Sequence, residues 1–301
     1  MPTAYLFPGQ GSHSVGMGHA SFLRYPIARK LFEQADTFLG YKLSTLCFSG
    51  PEDQLTATEY QTPALFVVGM ARWAIMQADT AWPVADFIVG QSMGMTTALA
   101  AAGAISFEDG LLLAQQRGKL MQKAGEKRRG AMAAVLGISA ETVTTICQTI
   151  QTESGLIIQL ASDSSPVQQL ITGETKAVEL AMLRLRESGA RKVVLLPISI
   201  ASHCDLMREM ASHYAKIIEQ VVFHDARVPL VSNVSAELIQ TATQLRHEII
   251  AHLTVPVRWR ESMLLLRQLG VDTFIEVGPS DALTKLMKRI DRSATRKAYQ
   301  A

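Results

Sequence analysis

The chain has 301 residues, 48% of which are hydrophobic, and a formal net charge of +2 at pH 7. This composition predicts a globular protein with a sizeable core. No apolar run approaches the roughly 18 residues that a membrane span needs, and the N-terminus lacks the charged and apolar regions of a secretory signal. We therefore expect neither a membrane span nor secretion, and we predict a cytoplasmic location.

The cysteines and the charge distribution restrict the partners further. Cys47, Cys147 and Cys204 are far apart and odd in number, which argues against a disulfide framework and a zinc cluster. We expect reduced thiols, no bound metal, and neither nucleic acid nor membrane as a partner. Basic clusters indicate solvated faces or a docking surface for an acidic partner. They lie at 127–129, 191–192 and 285–297.

Strands and helices alternate in the first part of the chain, and this order predicts a mostly parallel sheet. The predicted strands are 4–7 and 85–90, and the predicted helices are 26–39, 63–77, 93–102 and 107–123.

From about residue 130 the order changes to strand, helix, two strands, helix and strand, which is the ferredoxin-like pattern. Its predicted elements are 131–136, 140–151, 156–162, 168–172, 176–187 and 192–196. We interpret residues 126–197 as a small domain inserted between two segments of a large domain, 1–125 and 198–301. The second segment resumes the α/β order with helices at 205–219, 244–252, 258–269 and 280–290 and strands at 228–232 and 273–277. The basic tail after Ile290 is predicted to be frayed.

A Gly-X-Ser-X-Gly motif, Gly90 to Gly94, follows an apolar strand and precedes a stretch rich in helix formers. This context is typical of a nucleophile elbow, a tight turn that exposes a serine at a helix N-terminus. There, free backbone N–H groups favour negative charge, as an acyl-transfer intermediate requires. The motif predicts Ser92 as a nucleophile, and the alternative is that the five-residue pattern occurs by chance.

A serine hydroxyl needs a base, and histidine has a suitable pKa. Of seven histidines, His203 follows a strand-like segment and precedes a helix, although a structural role stays open for it. Gln10, between Gly9 and Gly11, follows the first strand, where ligand crevices form in open α/β sheets. The alternative for Gln10 is an ordinary tight turn.

Several long motifs in order resemble those of the malonyl-CoA:acyl carrier protein transacylases, over nearly the whole chain. The resemblance implies an α/β-hydrolase-like large domain with a mostly parallel sheet and an inserted ferredoxin-like small domain. The matching stretches are Phe7-Pro8-Gly9-Gln10-Gly11-Ser12, Gln61-Thr62-Pro63-Ala64, the elbow at Ser92, Gln116-Arg117-Gly118-Lys119-Leu120-Met121, Gly130-Ala131-Met132-Ala133-Ala134, Ser202-His203-Cys204, Pro256-Val257-Arg258-Trp259 and Glu276-Val277-Gly278-Pro279.

The resemblance assigns roles to individual positions. It implies Ser92 as nucleophile, His203 as general base, and the backbone N–H groups of Gln10 and Met93 as the oxyanion hole. Arg117 matches the arginine that binds the free carboxylate of malonyl. This role suits a guanidinium, which is always charged and pairs bidentately with a carboxylate.

In this family a main-chain carbonyl orients the histidine, so no acid is needed to complete a triad. The matching residue here is His252, where the family usually has glutamine. A carbonyl does not depend on the side chain, so this change is tolerable. Asp205 and Asp163 are weaker candidates, which we interpret as a helix cap and a loop residue.

The sequence departs from the family at positions close to the site. Gln91 stands where the family has histidine, and Met95 where glutamate is usual. With His252, Gln91 belongs to the predicted substrate-binding set. The loop 161–166 replaces one that contains asparagine in the family, which affects a hydrogen bond near His203 or the acyl group.

The resulting prediction is an enzyme that moves malonyl from malonyl-CoA to the phosphopantetheine thiol of an acyl carrier protein through an ester on Ser92. Coenzyme A thioester is a substrate, no cofactor is implied, and we expect a monomer. One alternative is a hydrolase of the same family that removes acyl chains from carriers in a polyketide pathway and would not require Arg117. Another is a weakly catalytic scaffold that only binds carrier, which would not need a nucleophile. An acidic carrier is expected to dock near Lys285, Lys288 and Arg289.

Overall fold

The computed structural model describes residues 1–299, which form two β-sheets covered by helices. The strands are β1 (Thr3–Phe7), β2 (Phe87–Gly90), β3 (Gly130–Leu136), β4 (Ile158–Ser165), β5 (Gln168–Glu174), β6 (Lys192–Leu195), β7 (Leu230–Val231), β8 (Leu238–Ile239), β9 (Thr273–Glu276) and β10 (Thr295–Ala298). The α-helices are α1 (His19–Arg24), α2 (Pro26–Leu39), α3 (Leu43–Ser49), α4 (Glu52–Thr56), α5 (Thr58–Ala78), α6 (Gly94–Ala101), α7 (Phe107–Lys127), α8 (Ala140–Ser154), α9 (Thr175–Glu187), α10 (Arg208–Ile218), α11 (Ala242–Ala251), α12 (Trp259–Gln268) and α13 (Ala282–Ile290).

The large sheet has the strand order β10-β9-β1-β2-β7-β8, and every pair is parallel except β7 with β8. All five residues of the central strand β1 are buried. Tyr5 and Phe7 belong to one hydrophobic core, whereas Ala4 and Leu6 belong to another on the opposite face. Alternate residues of a strand point to opposite faces, so burial on both faces produces the continuous apolar run seen in the sequence.

The small sheet has the order β4-β5-β3-β6 and is antiparallel throughout. Helices α8 and α9 contact each other and pack with the sheet around a core of their own. This is the ferredoxin-like arrangement, inserted between α7 and α10. The predicted fold class is therefore confirmed, and the exact boundaries 126 and 197 stay a prediction.

Three expectations about local structure were wrong. Helix α5 begins at Thr58 rather than at Pro63, because the N–H groups of Tyr60 and Gln61 bond to Ala57 O and start the helix earlier. The chain after Ile290 is not frayed as far as the structure describes it: β10 pairs with β9 along the sheet edge. The segment at 161–165 is not a loop but the end of strand β4.

Within residues 1–299, no helix combines the length and apolar character needed to cross a membrane.

Candidate active site

The elbow between β2 and α6 holds Ser92 in the left-handed region, with a φ of 51°. Its glycines are required by close backbone contacts. A Cβ on Gly90 would clash with the main chain of Gly94 and Met95, and one on Gly94 would clash with Phe7 O. The turn thus packs against the end of β1 and presents the Ser92 hydroxyl at the start of α6.

Ser92 and His203, 111 residues apart in sequence, meet with 2.8 Å between Oγ and Nε2. His203 Nδ1 donates a hydrogen bond to the main-chain oxygen of His252 at 2.6 Å. A carbonyl only accepts, so it places the imidazole proton on Nδ1 and leaves Nε2 with a free lone pair facing the hydroxyl. His203 therefore has the tautomer of a general base.

The electrostatics keep His203 neutral. Burial, followed by the positive charge of Arg117, lowers the pKa of His203 to about 4. The imidazole is thus unprotonated at neutral pH and able to accept the Ser92 proton.

Arg117 lies on α7 with no exposed surface. Its Nη2 donates to Ser92 Oγ at 3.0 Å, while Nε and Nη1 have no hydrogen-bond partner within residues 1–299. Burial lowers the pKa of Arg117 to about 10, which leaves it charged at neutral pH. A buried cation with two unused donors beside a nucleophile is suited to an anionic ligand.

The loop after β1 lies directly against the elbow: a Cβ on Gly9 would be 2.6 Å from Gln91 O and 3.6 Å from Ser92 Cβ. Ser12 Oγ donates to Gly9 O at 2.7 Å and ties this loop together. In the described part of the chain, the backbone N–H groups of Gln10 and Met93 find no acceptor. Both remain available for an oxyanion, as the predicted roles require.

His252 is completely buried, and its Nδ1 lies 3.0 Å from Glu248 O. Its Nε2 has no partner among the described residues. Burial, with Arg117 and His203 as further causes, holds the pKa of His252 well below its usual value. His252 therefore presents its carbonyl to His203 and its neutral ring to the protein interior.

The other predicted residues divide into near and distant ones. Gln91 lies half-buried beside Ser92, and its main-chain N–H donates to Phe7 O at 2.9 Å. Met95 instead packs in the hydrophobic core. Asp163 is held in strand β4 and pairs with Arg260 at 2.8 Å, which corrects its interpretation as a loop residue. Asp205 pairs with Arg208 at 2.8 Å.

Two further residues of the site, Asn233 and Glu248, are not among those predicted from the sequence. Asn233 is the only asparagine of the chain, and its side-chain Oδ1 accepts the Ser92 N–H at 2.9 Å. Glu248 accepts the Asn233 N–H at 2.8 Å. The available signal was position: Asn233 follows β7, the sheet neighbour of β2, at the carboxyl edge where sites form.

Comparisons with known proteins agree with this geometry. The family described as Acyl transferase domain matches residues 4–299. The malonyl CoA-acyl carrier protein transacylase of Bacillus subtilis is 39% identical over 289 residues, which cover 96% of this chain and 90% of that protein. The Escherichia coli K12 enzyme of the same name is 35% identical, with 98% and 94% covered.

Solved structures show the same similarity. The malonyl CoA-acyl carrier protein transacylase of Coxiella burnetii superimposes with a TM-score of 0.95 at 33% identity, over 99% of this chain and 93% of the other. A malonyl-transacylase in complex with its type II PKS acyl-carrier protein gives 0.94 at 34% identity, over 99% and 95%. The chain therefore belongs to the acyl transferase family and, within it, to the malonyl CoA-acyl carrier protein transacylases.

Proposed function

We propose that this protein transfers a malonyl group from malonyl-CoA to the phosphopantetheine thiol of an acyl carrier protein, through an ester on Ser92. The observation that carries the proposal is Arg117, which is fully buried, bonded to Ser92 Oγ, and left with two unpartnered nitrogens in the described chain. The free carboxylate of malonyl supplies the acceptors that this guanidinium lacks. The relatives that carry this activity in their names support the same substrate.

In the first half-reaction, His203 Nε2 accepts the hydroxyl proton while Ser92 Oγ attacks the thioester carbonyl. The N–H groups of Gln10 and Met93 stabilise the negative oxygen of the tetrahedral intermediate. Collapse breaks the carbon–sulfur bond, and the proton on His203 goes to the departing coenzyme A sulfur. In the second half-reaction His203 takes the proton from the carrier thiol, the thiolate attacks the ester, and the proton returns to Ser92.

The two rival functions fit these residues less well. A hydrolase of uncharged acyl chains gives no role to the buried charge of Arg117, which is costly to leave unpaired. A binding scaffold gives no role to a serine and histidine 2.8 Å apart or to the neutral state of His203.

We further propose that the enzyme is a cytoplasmic monomer and needs no metal or redox cofactor. The acyl carrier protein is proposed to dock on the basic face of α13, near Lys285, Lys288 and Arg289. Lys285 is exposed and forms an ion pair with Asp281, with 2.7 Å between Nζ and Oδ1. Arg289 donates a hydrogen bond to the side-chain oxygen of Gln168. Such a basic face favours binding of an acidic partner, and salt weakens that binding by screening the charges.

The test is a transfer assay with malonyl-CoA and a phosphopantetheinylated acyl carrier protein. We expect malonyl-carrier as the product, and double-reciprocal plots of initial rate that are parallel, as a ping-pong reaction requires. Free malonate is measured in the same samples. If malonate exceeds malonyl-carrier at saturating carrier, the hydrolase replaces the transferase.

A further inference from the structure

The Asn233 side chain bridges both sides of the nucleophile elbow. Its Oδ1 accepts the Ser92 N–H at 2.9 Å, and its Nδ2 donates to Gly90 O at 2.8 Å. The carboxamide is buried, with Asn233 only 1% exposed. Each neighbour fixes one end of the amide, because an N–H must face the oxygen and a carbonyl must face the nitrogen.

Glu248 on α11 links this bridge to the base. Its carboxylate accepts hydrogen bonds from the main-chain N–H of Asn233 at 2.8 Å and from the Ser232 hydroxyl at 2.5 Å. Its main-chain oxygen accepts the backbone N–H of His252 at 3.1 Å. His252 in turn orients His203 through its own carbonyl. Glu248, in the last turn of α11, is therefore linked to Ser92 through Asn233 and to His203 through His252.

We propose that Asn233 and Glu248 are positioning residues that set the Ser92–His203 geometry. Asn233 holds the elbow in its left-handed conformation, and Glu248 ties that elbow to the helix end that orients the base. This deepens the proposed acyl transfer and rests on Ser92 as its nucleophile, although it does not depend on which acyl group is transferred.

The position requires a donor and an acceptor on one small side chain. Ser92 has a φ of 51°, which an L-residue rarely adopts without support. Loss of either hydrogen bond lets the turn relax, and a shift of about 1 Å in a reacting group costs on the order of 100-fold in rate. A carboxylate accepts from Ser92 but repels Gly90 O, whereas a protonated carboxyl reproduces both bonds.

The experiment compares wild type, Asn233→Ala and Asn233→Asp across about pH 5 to 8. The readout is the rate constant for labelling of Ser92 by a fluorophosphonate, which requires an activated serine but no malonyl recognition. The wild-type base stays neutral over this range, since the pKa of His203 is about 4. The titratable and charged groups around the introduced carboxyl are Glu248, whose own pKa is raised by burial, Arg258, whose main-chain N–H donates to Asn233 O, and His203 beyond Ser92. All three proteins share these groups, so a difference between their pH profiles reports on residue 233.

We expect Asn233→Ala to label roughly 100-fold more slowly than wild type at every pH, because the shift of the serine does not depend on protonation. Asn233→Asp should be equally slow at high pH and recover towards wild type as the pH falls and its carboxyl is protonated. A purely structural role would give both variants the same pH profile. Equal profiles, or Asn233→Ala within threefold of wild type, would overturn the proposal.

The Glu248 arm is tested by a double-mutant cycle with Asn233→Ala and Glu248→Ala. If both act through one elbow, the double variant loses little more than the slower single variant. Independent, multiplicative losses contradict the link. Glu153→Ala, which removes an exposed carboxylate paired with Arg184 on the small domain, is the matched control and should keep the wild-type rate.

A measurement on wild type covers the case in which the variants fail to fold. Because the chain has one asparagine, selective ¹⁵N-asparagine labelling gives a single side-chain amide pair in the NMR spectrum. We expect the proton that bonds Gly90 O to exchange slowly with solvent. Exchange of both protons at the rate of free asparagine would contradict the bridge. If the fluorophosphonate labels wild type normally but malonyl-CoA does not load it, the assignment of malonyl as the substrate is contradicted, whereas the positioning role of Asn233 is not.

Discussion

Replacing Arg117 by alanine should change the acyl preference of the enzyme rather than destroy its nucleophile. The guanidinium is fully buried, and two of its nitrogens have no partner in the described chain, so a malonyl carboxylate can take both. Truncation leaves that carboxylate buried and unpaired, at a cost of about 2–5 kcal/mol. Each 1.4 kcal/mol is about tenfold, so malonyl loading should fall by about 30-fold or more. Acetyl loading should be unchanged or faster, because the unpaired buried charge is gone.

The assay is the single-turnover acylation rate with malonyl-CoA and with acetyl-CoA. Arg117→Lys should rescue poorly, since an ammonium does not reproduce the planar fork. Lys119→Ala is the matched control, because it removes an exposed cation from the same helix. Equal losses for both thioesters, or a wild type that already prefers the uncharged one, would refute the role of Arg117 in malonyl recognition.

Three further predictions concern pH and salt. Because the pKa of His203 is lowered to about 4, kcat/KM for acylation should stay flat from pH 8 to about 5; a half-maximal fall near 6.5 would contradict it. By the same shift, wild type should lose about 3 kcal/mol more unfolding free energy between pH 6.5 and about 4 than His203→Gln does. Urea titrations of the two proteins measure this difference, because other groups such as Glu276, whose pKa burial raises to about 7, titrate in both; equal losses in the two proteins would contradict the prediction. Added salt should slow the transfer of malonyl to the carrier more than it slows loading from malonyl-CoA, and Lys285→Glu and Lys288→Glu should do the same. Equal sensitivity of the two half-reactions would argue against a charged docking face.

Local patterns predicted most of the fold. The buried strand, the glycines and the helix formers around Ser92 lie within a few residues of one another, so periodicity and turn chemistry were enough to predict the elbow. The ferredoxin-like order was equally readable, because each of its elements has a clear apolar period. The edge strand β10 escaped prediction because its residues, Thr-Arg-Lys-Ala, are mostly polar and gain their strand conformation from pairing with β9.

The site depends on contacts between distant parts of the chain, which no local pattern contains. Arg117 lies in an ordinary helical stretch, and its complete burial follows from packing of α7 against α5 and α10. The resemblance to a family supplied that residue, whereas periodicity alone did not. Asn233 contacts Ser92 across 141 residues of sequence. Its polar side chain after a two-residue strand gives no local sign of that contact.

Intact-mass measurement after mixing with malonyl-CoA tests the central proposal most directly. We predict an increase equal to one malonyl group on wild type, located on Ser92 by peptide mapping and removed when phosphopantetheinylated carrier protein is added. Ser92→Ala should show no adduct, because proximity and oxyanion stabilisation have no nucleophile to act on. An adduct that persists in Ser92→Ala, or a wild type that stays unmodified while it transfers malonyl, would contradict the acyl-enzyme.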